Sequence, residues 1–372
     1  MAVPLVDLGA QYVALKTEIE AVVSEVFETQ GFVGGPFLEG FERAMGEYLN
    51  GVRCVGVASG TDALLLTLRA AGIGPGDEVI TSPFTFFATA GAVANVGAIP
   101  VFVDIEPDTF NIDVVQIESK ITERTKALMP VHIFGQCADM DPVLALAERH
   151  GLRVIEDCAQ ALGARYKGRL ACTLGDAAGV SFYPSKNLGG AGDGGMVAAR
   201  DEELAERVRL LRNHGQDSAY RHALVGTNSR LDALQAAVLS VKLKHLDTWN
   251  AQRRERAAYY GAQLADVPEM VAPIERAGNY HVYHQYVVRL PARDRAIESL
   301  RAKGIGCAVF YPVPLHRQEC FAHLGYSEND YPVAIQASRE VLALPIYPEL
   351  TCEQQDEVVA ALKEHVAALP RI

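Results

Sequence analysis

No stretch of the sequence reaches the run of about 18 apolar residues that a membrane-spanning helix needs, so no membrane span is expected. The start, MAVPLVDLGAQY, lacks the basic and apolar regions of a secretory signal. Positive charge is not in excess. The net charge of −12 disfavours nucleic acid and anionic membrane as partners. A few arginines and backbone N–H groups would still suffice to bind an anionic small molecule. Cysteine is sparse and odd in number (Cys54, Cys137, Cys158, Cys172, Cys307, Cys320 and Cys352), and no C-x-x-C occurs. Reduced thiols and a cytoplasmic location are therefore expected. No G-x-S-x-G elbow is present, which disfavours a hydrolase triad. Internal repeats and low-complexity segments are also missing.

What is present is a chain of 372 residues, 49% of them hydrophobic, enough for one large and one smaller domain. From residue 54 short β-rich runs alternate with helical ones. CVGVAS, EVITS, IPVFVDI, KALMPVH, LRVIEDC, AAGVSFY and GGMVAAR read as strands. DALLLTLRAAG, ATAGAVANVG and DPVLALAERHG read as helices. This alternation predicts an α/β sheet, mostly parallel, with helices on both faces. A long helical pattern over 231–264, with a bend near Trp249, is placed to bridge two domains. After it the order changes. YHVYHQYVVRL and CAVFYP read as strands, with helices at DRAIESLRAKG, 332–342 and 351–367. The division expected is a large domain over 1–249 and a small α+β domain over 250–372.

Four local patterns carry chemistry. Ser59-Gly60-Thr61-Asp62 joins a strand to a helix, where backbone N–H groups make an anion site or, more plainly, an N-cap. Phe84-Thr85-Phe86-Phe87 leaves a strand end and offers either a stacking ring or core. Glu156-Asp157-Cys158-Ala159-Gln160 closes an apolar strand. A carboxylate there points into the ligand crevice of an α/β sheet and needs a cationic partner, unless it merely caps a helix. Finally, SFYPSKNLGGAGDGG leads from a strand to Lys186 and a glycine-rich turn. A lysine of lowered pKa there would be a nucleophile able to form a Schiff base. The G-x-G-x-x-G within this run precedes a strand-like segment, not a helix, so it is not a dinucleotide fingerprint. His316, Cys320 and His323 lack a fourth ligand, and no metal site is expected.

Together, SGTDAL, EDCAQ, SFYPSKNLGGAGDGG and GTNSRLDALQAA resemble the DegT/StrS family of nucleotide-sugar aminotransferases, over nearly the whole chain. The resemblance implies a fold-type-I enzyme dependent on pyridoxal phosphate (PLP). In it Lys186 would hold the cofactor and Asp157 would pair with the pyridinium nitrogen. Phe86 would stack on the ring, and Gln160 would lie near the phenolic oxygen. Gly60, Thr61 and Ser181 would bind phosphate, with Asn228 completing that site from the second subunit of a homodimer. Glutamate is the implied amino donor, leaving as 2-oxoglutarate. The acceptor would be a keto-sugar linked to a nucleoside diphosphate, with its ketone at C3. Arg230, Tyr311 and His316 would flank it, and Phe310 in place of a histidine argues against a uronic acid. Relatives that dehydrate sugars carry histidine where Lys186 stands, and Lys186 argues against that chemistry. The other readings are a non-catalytic regulator that binds a sugar nucleotide and an amino-acid aminotransferase. The latter needs a dedicated carboxylate-binding arginine that no C-terminal arginine stands out to supply.

Overall fold

The computed structural model describes residues 2–327 and 329–369. Two helices, α1 (Leu8–Thr29) and α2 (Gly35–Tyr48), precede the alternating part of the chain. That part then runs β1 (Arg53–Val57), α3 (Gly60–Ala70), β2 (Glu78–Thr81), α4 (Ala88–Asn95) and β3 (Ile99–Phe102). It continues through α5 (Val114–Ile117), β4 (Thr125–Leu128), α6 (Met140–His150) and β5 (Arg153–Asp157). The hairpin β6 (Arg165–Tyr166) and β7 (Arg169–Leu170) leads to β8 (Ala177–Ser181) and β9 (Gly195–Ala199). Then come α7 (Glu202–Arg212), the short pair β10 (Gln216–Ser218) and β11 (Arg221–His222), α8 (Ala233–Leu243) and α9 (Leu246–Leu264).

The main sheet has seven strands in the order β1-β9-β8-β5-β4-β2-β3. β9 pairs antiparallel with both β1 and β8, and the other pairings are parallel. The chain thus brings the carboxyl ends of β1, β2, β5 and β8 to one edge, where open α/β sheets bind ligands. The strands bury both faces, with Ile80, Val154, Ala178 and Val180 on one and Val79, Ala127, Ile155 and Ala177 on the other.

The rest of the chain comprises β12 (Asn279–Tyr280), β13 (Tyr286–Arg289), α10 (Arg293–Ala302), α11 (Pro332–Glu340), β14 (Val341–Leu344) and α12 (Cys352–Ala367). β13 and β14 pair antiparallel, covered by a second core that includes Tyr260, Leu300 and Leu362. Val3 joins this second core, and its N–H donates to Gly304 O (3.0 Å). A third cluster, holding Phe84, Phe102 and Phe134 with Val287 and Val341, joins the sheet edge to this pair.

Four expectations on the elements change. The segment 280–290 is strand only at Tyr280, the end of β12, and over Tyr286–Arg289, because the residues between bond sideways. Val282 N donates to Gly135 O (2.9 Å) and Val282 O accepts from the Asn187 side chain (3.2 Å). CAVFYP pairs only at Ala308 with Ala343. The helix foreseen to residue 342 stops at Glu340, since Val341 turns extended and enters β14. The long helix is broken at Lys244–His245, ahead of Trp249. Of its apolar residues at helical spacing, Leu231, Val238 and Val241 are buried within the same chain, where α8 packs on α1 and α2, and Leu234 is half-buried. Among the described residues no helix is long and apolar enough to cross a membrane.

Candidate active site

The carboxyl edge of the sheet gathers Ser59 after β1, Asp157 at the end of β5, Ser181 at the end of β8, and the loop that carries Lys186. Ser59 caps α3 by accepting from Asp62 N (3.1 Å). This leaves the first N–H groups of an eleven-residue helix facing the crevice. Gly60 is needed for a close approach, since a Cβ there would come within 2.7 Å of Ser181 Cβ. The structure therefore brings Gly60, Thr61 and Ser181 together. The segment carrying Asn228 is bound next to them: Ser229 Oγ donates to Asp62 Oδ2 (2.6 Å) and accepts from Ala58 N (3.3 Å). Asn228 itself is exposed and pairs through its backbone with Asn213. Arg230 donates to Asn213 Oδ1 (2.7 Å).

Asp157 is 5% exposed and is held at both oxygens. Oδ1 accepts from Ala159 N (3.2 Å) and Oδ2 from Thr89 Oγ1 (2.7 Å). Gln160 is oriented by a backbone donor. Phe134 N reaches its amide at 2.7 Å, so the carbonyl oxygen faces Phe134 and the NH2 faces Tyr311 OH (2.9 Å). Burial pushes the Tyr311 phenol well above its ordinary range, Gln160's donation working the other way, and the Asp157 charge adds to the rise. Phe86 stands 59% exposed, its ring centroid 6.4 Å from that of Tyr311. His316 lies deeper, 3% exposed, with its ring against Tyr331.

Lys186 is half-buried. Burial lowers its pKa from 10.5 to about 8, while the Asp157 charge pulls upward. Since the neutral amine exists above the pKa, an amine-directed reagent should modify Lys186 with a rate that rises through a pH of about 8 and then levels off. A midpoint near that of an exposed lysine, read by peptide mapping across pH, would contradict the environment described. The loop bearing Lys186 is anchored by its neighbour. Asn187 Nδ2 donates to Asn250 Oδ1 (2.7 Å) and Val282 O (3.2 Å), so its oxygen must accept from His284 Nδ1 (3.0 Å). Burial, then the Lys186 and Arg253 charges, hold His284 neutral.

Sequence reasoning missed Thr89, Ser229, His284 and the pair Glu156–His132. Glu156 accepts from His132 Nε2 (2.9 Å), Cys172 N (3.1 Å), Leu174 N and Gly175 N (both 2.9 Å). With Cys158 these two could face a cation, as their ligand atoms lie within 4.8 Å. Yet His132 Nδ1 accepts from Ala138 N (3.2 Å), which puts the proton on Nε2, toward Glu156. The cluster is thus a hydrogen-bonded brace behind Asp157.

An amine of lowered pKa, a buried carboxylate, a donor amide and a helix N-terminus walled by Gly60 fit a planar, phosphorylated, cationic aldehyde such as PLP. Comparison with known proteins agrees in kind. At 51% identity over 98% of both chains, the chain is similar to a protein of Geobacillus stearothermophilus named as a pleiotropic regulatory protein. It is 45% identical, over 97% of each chain, to a UDP-N-acetyl-3-dehydro-α-D-glucosamine 3-aminotransferase of Acidithiobacillus ferrooxidans. The solved structure of S. venezuelae DesV in complex with a ketimine intermediate superposes with a TM-score of 0.97 at 45% identity, covering 99% of this chain and 100% of that one. Residues 13–363 match the DegT/DnrJ/EryC1/StrS aminotransferase family, and the chain belongs to that family.

Proposed function

We propose that the protein uses PLP to convert a nucleotide-linked 3-keto sugar to the 3-amino sugar, with glutamate as amino donor. The observation that carries the reading is the lowered-pKa amine of Lys186 set beside the buried Asp157 carboxylate at the carboxyl edge of the sheet. The 3-aminotransferase among the relatives supports the position of the ketone. When bound, PLP supplies an aldehyde that condenses with amines and a ring that draws electrons from the carbon beside them.

The chain's residues divide the remaining work. Lys186 Nζ would hold the cofactor, and its free amine would be the group that moves a proton from the donor's α-carbon. A pKa of about 8 suits that exchange, because both protonation states are populated near neutral pH. Asp157 holds the positive charge on the ring nitrogen. Gln160 Nε2, pinned by Phe134, has a second N–H for the ring's phenolic oxygen. The first turn of α3 and Ser181 take the phosphate, and Phe86 covers one ring face. Tyr311, its ring near that of Phe86, keeps its phenol proton and is assigned to the sugar, as is Arg230. His316 is assigned to the sugar as well, and it is buried with its ring against Tyr331.

The test is turnover with glutamate and a panel of nucleotide-linked 3-keto and 4-keto sugars. Amination of the 3-keto sugars is expected. Turnover of 4-keto sugars alone would overturn the C3 assignment. No donor-dependent turnover of any would favour a regulator, the role named for the Geobacillus relative.

Asn228 is assigned to the phosphate site of a second subunit in a homodimer, which its exposed position permits. Losing its amide should weaken PLP by roughly 1–3 kcal/mol. Mixed Lys186→Ala and Asn228→Ala subunits should then regain activity beyond their sum, because one site of each mixed dimer has both native residues. Proven subunit exchange without recovery would place both residues in one subunit's site.

A further inference from the structure

Thr89 lies in the first turn of α4 and is fully buried. A helical threonine commonly returns its hydroxyl proton to the carbonyl four residues back. Thr67 in α3 does so, donating to Ala63 O at 2.7 Å. Thr89 does not. Its Oγ1 reaches across to Asp157 Oδ2 at 2.7 Å and lies 3.1 Å from Thr85 Oγ1, itself only 3% exposed. Each hydroxyl has one proton to give. Thr89 gives its proton to the carboxylate, so Thr85 must give its own to Thr89. The direction of the pair is fixed toward Asp157.

The backbone of Asp157 is held as firmly. Its N–H donates to Pro130 O (2.9 Å) and its carbonyl accepts from His132 N (3.1 Å). With Ala159 N on Oδ1, every contact fixes how the carboxylate plane sits in the crevice. Hydrogen bonds in series polarise one another, and those to a charged acceptor are about twice as strong as neutral ones.

We infer that Thr85 and Thr89 form a hydroxyl relay that aims and polarises Asp157 toward the pyridine nitrogen of PLP. This inference rests on the PLP reading above. The two threonines are positioning residues, since neither needs to touch the cofactor. The relay fixes which lone pair of Asp157 is left for the ring and how firmly the ring keeps its proton.

The experiment loads wild-type protein and variants with PLP labelled with nitrogen-15 at the ring. It reads the ring-nitrogen chemical shift together with kcat and KM for glutamate. Thr89→Val should move the shift toward that of an unprotonated pyridine and lower kcat roughly 10-fold or more, the range for one charge-assisted hydrogen bond. KM should change less than about 2-fold. Thr89→Ser should restore both readouts, and Thr85→Val should give an intermediate shift. If Thr89→Val cannot be recovered folded, Thr85→Val and Thr89→Ser decide the matter. A ring-nitrogen signal unmoved in the valine variants, or lost equally in Thr89→Ser, would overturn the relay and leave the functional reading standing. Wild-type protein that binds no PLP would overturn both.

Discussion

Lys186→Ala should lower turnover by at least roughly 10⁴-fold, the upper end of what one positioned acid–base group contributes, because the same side chain also holds the cofactor. The fold should survive. Lys186 sits on a loop anchored through Asn187, whose bonds to Asn250, Val282 and His284 do not involve the lysine side chain. Removing a half-buried amine whose charge is disfavoured takes away no ion pair. The variant should therefore unfold within a few degrees of wild type while losing donor-dependent turnover. Retention of a tenth of the activity would place the chemistry elsewhere. Added small primary amines should return a measurable fraction of the lost rate, since the carboxylate, the amide and the phosphate end of the site remain.

Asp157→Asn carries the second large effect. The amide has nearly the volume of the carboxylate; its one oxygen can accept from Ala159 N, and its NH2 then faces Thr89 Oγ1, whose hydroxyl can rotate to accept. What disappears is the negative charge opposite the ring nitrogen. Breaking a buried ion pair typically costs about 3–5 kcal/mol, so proton abstraction should slow by roughly 10²- to 10⁴-fold. PLP should still bind, because the phosphate end and Lys186 are untouched. Stopped-flow measurement of the half-reaction with glutamate separates binding from abstraction. Unchanged abstraction would remove Asp157 from its assigned role.

Much of the site was legible because its parts stand on short consecutive runs. SGTDAL, EDCAQ and SFYPSKNLGG each end a strand, and strand ends of a parallel sheet share one edge, so linear motifs suffice to place them. The parts that escaped depend on distant pairing. Nothing local marks Thr89 as the partner of a residue 68 positions away, or Ser229 as that of Asp62 at 167. The alternation in YHVYHQYVVRL suggested a full strand. Its first half instead spends its backbone groups on Gly135 and on the Asn187 and Arg254 side chains. The run VLAL reads equally as the end of a helix or as a strand, and only its antiparallel partner β13 decides.

Lys242 is the natural competitor for Lys186. It too is buried, burial lowers its pKa, and its Nζ donates to Gly189 O (2.8 Å) in the same glycine-rich turn. Borohydride reduction of the resting PLP complex, followed by peptide mapping, distinguishes the two. The protein should be yellow, and its reduced cofactor should remain on the peptide containing Lys186 alone. Attachment to Lys242, to another lysine, or to none would contradict it.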